Sequence, residues 1–136
     1  MTDLELSESD HNLLDRAEAA RRNAYVPYSS FAVGAAIQTA TGEVVEGCNT
    51  ENVSFGLTMC AERVALGTAV TKGQRDIELL ALVSDSSAPV VPCGACRQVL
   101  AEFNPRLKIV SRTLSGQTQV FRLDELLPRH RQGILG

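Results

Sequence analysis

Tryptophan is absent, and the six aromatic residues (Tyr25, Tyr28, Phe31, Phe55, Phe103 and Phe121) are scattered along 136 positions. A platform on which the bases of an extended single strand stack needs more than that. Lysine is nearly missing as well. Lys72 and Lys108 are the only two, so arginine carries most of the positive charge in a chain of net charge −3. No basic stripe or block is available to neutralise a run of phosphates, which argues against a nucleic-acid partner and for a small neutral or weakly charged substrate. No apolar run approaches the roughly 18 residues of a membrane span. The segment MTDLELSESD lacks the basic-then-apolar order of a secretory leader, so the expected compartment is the cytoplasm. In that reducing setting four cysteines point to metal binding or catalysis before disulfides.

An apolar share of 44% beside 21% charged residues suits a globular chain that buries its own core, and residues 1–136 read as one domain. Ser7 followed by Asp10 resembles a capping box, and Leu13, Leu14, Ala17, Ala20 and Ala24 recur at helical spacing, which predicts a helix ending near Asn23. VPYSS is a turn. Residues 31–39 and 43–49 are predicted strands joined by a tight turn at Thr41-Gly42. A polar loop, TENVSFGLT, leads into a helix from about Cys60 to Lys72. Residues 77–84 are apolar almost throughout, as a strand covered on both faces requires. A loop containing Pro89 and Pro92 precedes a helix from Cys93 or Gly94 to about Phe103. LKIVS and TQVFRL are further strands, and DELL is a last helical turn. Helices alternating with strands after a hairpin predict an α/β fold, a mixed five-stranded sheet covered on both faces in a three-layer α/β/α sandwich.

Chemistry concentrates in Cys60-Ala61-Glu62 and Pro92-Cys93-Gly94-Ala95-Cys96. A Cys-x-x-Cys pair alone fits half a zinc site, a redox dithiol or chance. Position sharpens it, because Cys60 and Cys93 both fall where a loop enters a predicted helix. Unpaired amides and partial positive charge at a helix N-terminus favour the thiolate. Two such starts brought together could hold three thiolates around one metal, leaving the fourth tetrahedral position of zinc open, as in a catalytic site. Zinc with three thiolates sums to −1, which weakens it as a Lewis acid, and the adjacent Arg63 is placed to offset that charge. Glu62 suits proton shuttling and is not needed as a ligand. Taken singly, Glu62 also reads as a solvated helix acid, Phe31 as core, and Asn49 and Glu51 as loop formers.

The combination Cys60-Ala61-Glu62-Arg63 with Pro92-Cys93-Gly94-Ala95-Cys96-Arg97-Gln98 resembles the small homotetrameric cytidine deaminases of pyrimidine salvage, in the three-cysteine form of the zinc deaminase signature. Tyr28–Ala36 and Gly47–Asn52 extend the resemblance. It implies that Cys60, Cys93 and Cys96 bind one zinc ion per chain. It also implies that Glu62 moves a proton from water to N3 of cytosine, that hydroxide adds at C4, and that the same carboxylate helps ammonia depart. Asn49 and Glu51 are then expected at the ribose hydroxyls, Phe31 against the pyrimidine face, the Ala61 N–H at the base carbonyl, and Arg63 on the cysteine sulfurs. The implied activity is conversion of cytidine and 2′-deoxycytidine to uridine and 2′-deoxyuridine. The implied assembly is a homotetramer.

The chain departs from that family after Leu126-Leu127-Pro128. There the tail carries no aromatic residue to close a neighbouring subunit's pocket. The lid is absent, shorter, or built from Ile134 and Leu135, and a more open site is expected to admit bulkier N4 or sugar substituents. Blasticidin-S deaminases resemble the chain in the zinc motifs, whereas Asn49 and Glu51 favour a nucleoside. Two other classes compete: a module in which zinc only staples two helices, and a nucleic-acid deaminase, for which the 49–59 loop lacks basic residues. Cys48 is expected as a small buried apolar group, His11 and His130 as surface residues, and Arg97 and Gln98 as structural. Phosphorylated substrates are disfavoured, because no phosphate-binding glycine loop or arginine cluster adjoins these motifs.

Overall fold

The first helix starts where its capping chemistry puts it. Ser7 caps α1 (Glu8–Arg21); its hydroxyl accepts the Asp10 N–H at 3.1 Å while the Asp10 carboxylate accepts the Ser7 N–H at 3.0 Å. Lys108 reaches the same carboxylate at 3.0 Å. Burial alone raises the Asp10 carboxyl; the Ser7 N–H and the Lys108 ammonium outweigh it and hold it below its ordinary value. The helix stops at Arg21, two residues short of the expected end, and Asn23 and Ala24 close it with turn hydrogen bonds to Ala20 and Arg21. This computed structural model describes residues 6–130.

Five strands follow: β1 (Val33–Thr39), β2 (Val44–Cys48), β3 (Ile77–Ser84), β4 (Lys108–Thr113) and β5 (Thr118–Arg122). They form one mixed sheet in the order β2-β1-β3-β4-β5, with β3 and β4 parallel and every other pair antiparallel. Helix α2 (Ala61–Thr71) links β2 to β3, α3 (Gly94–Ala101) makes the crossover from β3 to β4, and α4 (Leu123–Leu126) follows β5. The loop 49–59 also contains a short 3₁₀ turn, Phe55–Leu57, which hydrophobic periodicity does not reveal.

Alternation along the strands sorts side chains into two cores. Leu13, Leu14 and Ala17 of α1 pack on Ala36, Leu79, Ala81, Val83, Val110 and Val120. Ala65, Leu66 and Ala69 of α2 and Leu100 of α3 pack on Ala35, Ile37, Leu80, Leu82 and Ile109 from the other side. Helices therefore cover both faces, giving the expected three layers. An irregularity between Gln38 and Thr39 breaks the alternation at one end and turns Ile77 into the second core.

The sheet directions determine where loops meet. Val33 pairs with Ser84, and Gly34 with Cys48, so the start of β1 and the ends of β2 and β3 share one edge of the sheet. Segments 22–32, 49–60 and 85–93 converge there, outside the carboxyl end of β3 where its crossover begins, the usual ligand position in an open α/β sheet. Among the described residues, no helix is long and apolar enough to cross a membrane.

Gly47 brings α2 onto this edge. A Cβ there meets the Ala65 N at 2.5 Å and the Ala61 carbonyl oxygen at 2.6 Å, both backbone atoms that cannot swing aside. Gly47→Ala is therefore expected to destabilise the fold by about 1–3 kcal/mol through overpacking. Gly67→Ala, on the open side of α2 with nothing within 4 Å, should stabilise it by roughly 0.5–1 kcal/mol. Denaturant unfolding of the two variants checks the opposite signs.

Candidate active site

The cleft at this edge has a volume of about 230 Å³ and is lined by Phe31, Val33, Asn49, Thr58, Cys60, Ala61, Glu62, Val90, Val91 and Cys93. Its floor is the meeting of two helix starts. Cys60 is the N-cap of α2 and Cys93 the N-cap of α3, and neither side chain caps its own helix. Both sulfurs are free to face each other, 3.8 Å apart. Cys96, on the first turn of α3 and fully buried, completes a trio whose Sγ atoms all lie within 4.8 Å of one another. Four-coordinate zinc, with Zn–S bonds of about 2.3 Å, sets neighbouring sulfurs about 3.8 Å apart. The donor set fits zinc, and among the described residues no fourth ligand joins the cluster. Cys48 ends β2 away from the trio, half-buried, and burial raises its thiol pKa.

Charge in the trio is uneven. A hydrogen bond from Cys96, with help from Arg63, holds the Cys60 thiol down at about 5 against its burial. The same bond and burial push Cys96 up. Arg63 donates to the Cys60 sulfur at 3.7 Å and to the Thr58 carbonyl at 3.4 Å. Its Nε is buried and has no hydrogen-bond partner. A guanidinium kept beside sulfur with one donor unspent suits a site that gathers negative charge.

Glu62 stands at the wall of the cleft with 6% of its surface exposed. Burial pushes its carboxyl up to about 7; the Cys60 charge adds to the rise, while its own backbone N–H and Arg63 oppose it. A group in this range both takes and gives protons near neutrality. Ala61, the first residue of α2, presents an N–H with no intrahelical partner.

Asn49 and Glu51 do structural work in the walls. The Asn49 amide accepts the Val33 N–H at 3.0 Å and donates to the Phe31 carbonyl at 2.8 Å. Glu51 is buried and accepts the N–H groups of Tyr28 at 3.0 Å and Ser29 at 3.2 Å together with the Ser29 hydroxyl. The hydroxyl bond, followed by the two amides, holds its carboxyl below the ordinary value despite burial. Phe31 lies in the cleft wall, ahead of β1 and not in it. Side chains bind its backbone where a strand neighbour would.

Arg97 donates to the Pro92 carbonyl at 2.8 Å and to the Leu126 carbonyl at 3.1 Å, pinning the loop before Cys93 to α3 and α4. Gln98 bonds the His130 carbonyl at 2.9 Å. Ile134 and Leu135 lie outside the described residues. Sequence reading missed Thr58, Val90 and Val91. The two valines between Pro89 and Pro92 were the available signal, an apolar pair in a loop with no regular element to bury it.

Comparison with known proteins agrees with this geometry. Residues 7–111 match the family described as the cytidine and deoxycytidylate deaminase zinc-binding region. The cytidine deaminase of Halalkalibacterium halodurans is 50% identical over 117 residues, covering 85% of this chain and 89% of the relative. The blasticidin-S deaminase of Bacillus cereus is 35% identical over 104 residues, covering 71% and 74%. The crystal structure of cytidine deaminase from Burkholderia pseudomallei superposes with a TM-score of 0.85 at 44% identity, over 90% of this chain and 98% of that one.

Cys96→Ser should lose zinc to a competing chelator at concentrations at least about tenfold lower than the unaltered protein does, since one thiolate ligand is gone. Cys48→Ser should keep the original metal content. Elemental analysis after dialysis against graded chelator reads both.

Proposed function

The chain belongs to the cytidine and deoxycytidylate deaminase family, and on that premise we propose that it hydrolyses cytidine and 2′-deoxycytidine to uridine and 2′-deoxyuridine with release of ammonia, as a cytoplasmic enzyme of pyrimidine salvage. The observation that carries this reading is the buried Glu62 carboxyl in a cleft that also presents the Cys60 and Cys93 thiols. Cys60, Cys93 and Cys96 hold one zinc ion, which when bound acidifies water and makes it nucleophilic near neutral pH. Glu62 accepts the proton of the water that adds to C4 and delivers it to N3 of the base. As the C4–N4 bond breaks, the same carboxylate carries the second proton to the departing amine. Water and cytidine are thus converted to uridine and ammonia with no other reactant.

Binding follows from the walls. The Ala61 N–H, unpaired within α2, donates to the base carbonyl, and Phe31 covers one face of the ring. Asn49 uses its oxygen and one N–H on the backbone of residues 31–33, which leaves a second N–H for the ribose. Glu51 accepts three hydrogen bonds from residues 28 and 29, and a carboxylate has room for about four; the remaining site takes a ribose hydroxyl. Arg63 balances the thiolates.

The assembly is a homotetramer in this reading. Support comes from the exposed apolar side chains of Val53, Phe55, Leu57 and Met59 beside the cleft, a concentration that a monomer's surface rarely leaves uncovered. Sedimentation should give the mass of four chains for the unaltered protein and a smaller species for Leu57→Glu. A monomeric unaltered protein would contradict the assembly.

Glu62→Gln should keep its zinc and its fold while kcat/KM for cytidine falls by roughly 10²–10⁴-fold. Ammonia release is measured on cytidine, 2′-deoxycytidine, an N4-methylated cytidine, dCMP, cytosine and blasticidin S. Turnover of the two plain nucleosides by zinc-loaded protein is the expected result. Turnover of the N4-methylated one as well would mark a pocket that admits N4 substituents. A silent Glu62→Gln change would point instead to a zinc staple, and exclusive turnover of blasticidin S to the other relative's chemistry.

A further inference from the structure

The turn before β1 has an unusual amount of polar machinery for an exposed loop. Ser30 has a φ of +60°, the one non-glycine residue among those described in the left-handed region, and a side chain seldom adopts that conformation unless its neighbours impose it. They do so here. The Ser30 N–H is bound to the Val26 carbonyl at 3.0 Å. The Ser29 hydroxyl donates to Glu51 and accepts the Phe31 N–H, the latter at 3.0 Å. A serine hydroxyl can do both at once. Asn49 then takes the Phe31 carbonyl at 2.8 Å, so Phe31 is held at its N–H through Ser29 and at its C=O through Asn49.

We infer that Ser29 is a positioning residue for the deamination reaction, tying the Glu51 carboxylate to the Phe31 backbone so that the polar and aromatic walls of the cleft keep one geometry. The inference rests on the reading of the cleft as a nucleoside site. Ser29 does not line the cleft and has no contact with the trio of thiols, so its action is indirect. It is also solvent-exposed, and water can replace a lost hydroxyl for both the Phe31 N–H and Glu51. Removing the hydroxyl therefore leaves the fold nearly as stable, while the spacing between the two walls is no longer set.

Ring and ribose contacts act on substrate and transition state alike, so their loss raises KM and spares kcat. Ser29→Ala should raise KM for cytidine roughly tenfold, because walls that no longer hold one spacing place the ring and ribose contacts less well, with kcat changed less than about threefold. Zinc content and melting temperature should match the unaltered protein. Ser29→Thr, which keeps the hydroxyl, should bring KM back to within about twofold of the original value. An unchanged KM in Ser29→Ala, a loss confined to kcat, or no recovery in Ser29→Thr overturns the role of Ser29 and leaves the parent reading intact. Failure of the unaltered, zinc-loaded protein to turn over cytidine overturns both, and is visible before any variant is made.

Discussion

Three sulfur atoms are gathered at the point where two helices begin, and the rest of the molecule is arranged around that meeting. A pair of N-cap cysteines 3.8 Å apart requires the starts of α2 and α3 to converge from separate crossovers. The sheet order achieves this. β2 and β3 end at the same edge, and the α2 and α3 connections deliver Cys60 and Cys93 there. Gly47 lets α2 lie against the sheet at backbone distance, and Arg97 holds the Pro92 carbonyl just ahead of Cys93. Helix N-termini favour the thiolate form, and Arg63 adds a fixed positive charge, so this edge is prepared for a cation with sulfur ligands.

Polar side chains near the cleft serve two purposes. Asn49, Glu51 and Ser29 satisfy the backbone of residues 28–33 in place of a strand partner. Each is then rigid before any substrate arrives, and binding need not pay to order it. The same economy explains why a non-glycine residue sits at positive φ at Ser30: the turn is over-determined by its neighbours. Glu62 is fixed differently. It is carried on the first turn of α2, two residues from Cys60, so its distance from the trio of thiols is determined by helix geometry.

Much of this was legible in the sequence, for local reasons. The capping box of Ser7 and Asp10, the apolar run 77–84 and the pairs Cys60–Glu62 and Cys93–Cys96 are short-range patterns that report directly on geometry. The meeting of the two pairs, by contrast, was implied by the resemblance to the deaminases. The strand order and the parallel pairing of β3 with β4 are not local, and the sequence supports no more than a mixed sheet. Phe31 was read as strand because β propensity cannot register that Asn49 and Ser29 bind its backbone from outside. The three hydrogen bonds that Glu51 accepts from residues 28 and 29 were not legible, because its spacing from Asn49 says nothing of the turn that supplies them. Val90 and Val91 line the cleft through a loop whose path depends on Arg97, five or more residues further on.

The central claim is an open metal site with three sulfur ligands and one position left for chemistry. X-ray absorption at the zinc edge on the purified, zinc-loaded protein tests it most directly. The account predicts three sulfur scatterers at about 2.3 Å and a single oxygen or nitrogen scatterer at about 2.0 Å, the latter perturbed when nucleoside is added. Four sulfur scatterers, or a shell that does not respond to nucleoside, would contradict it and leave the cluster as a structural staple.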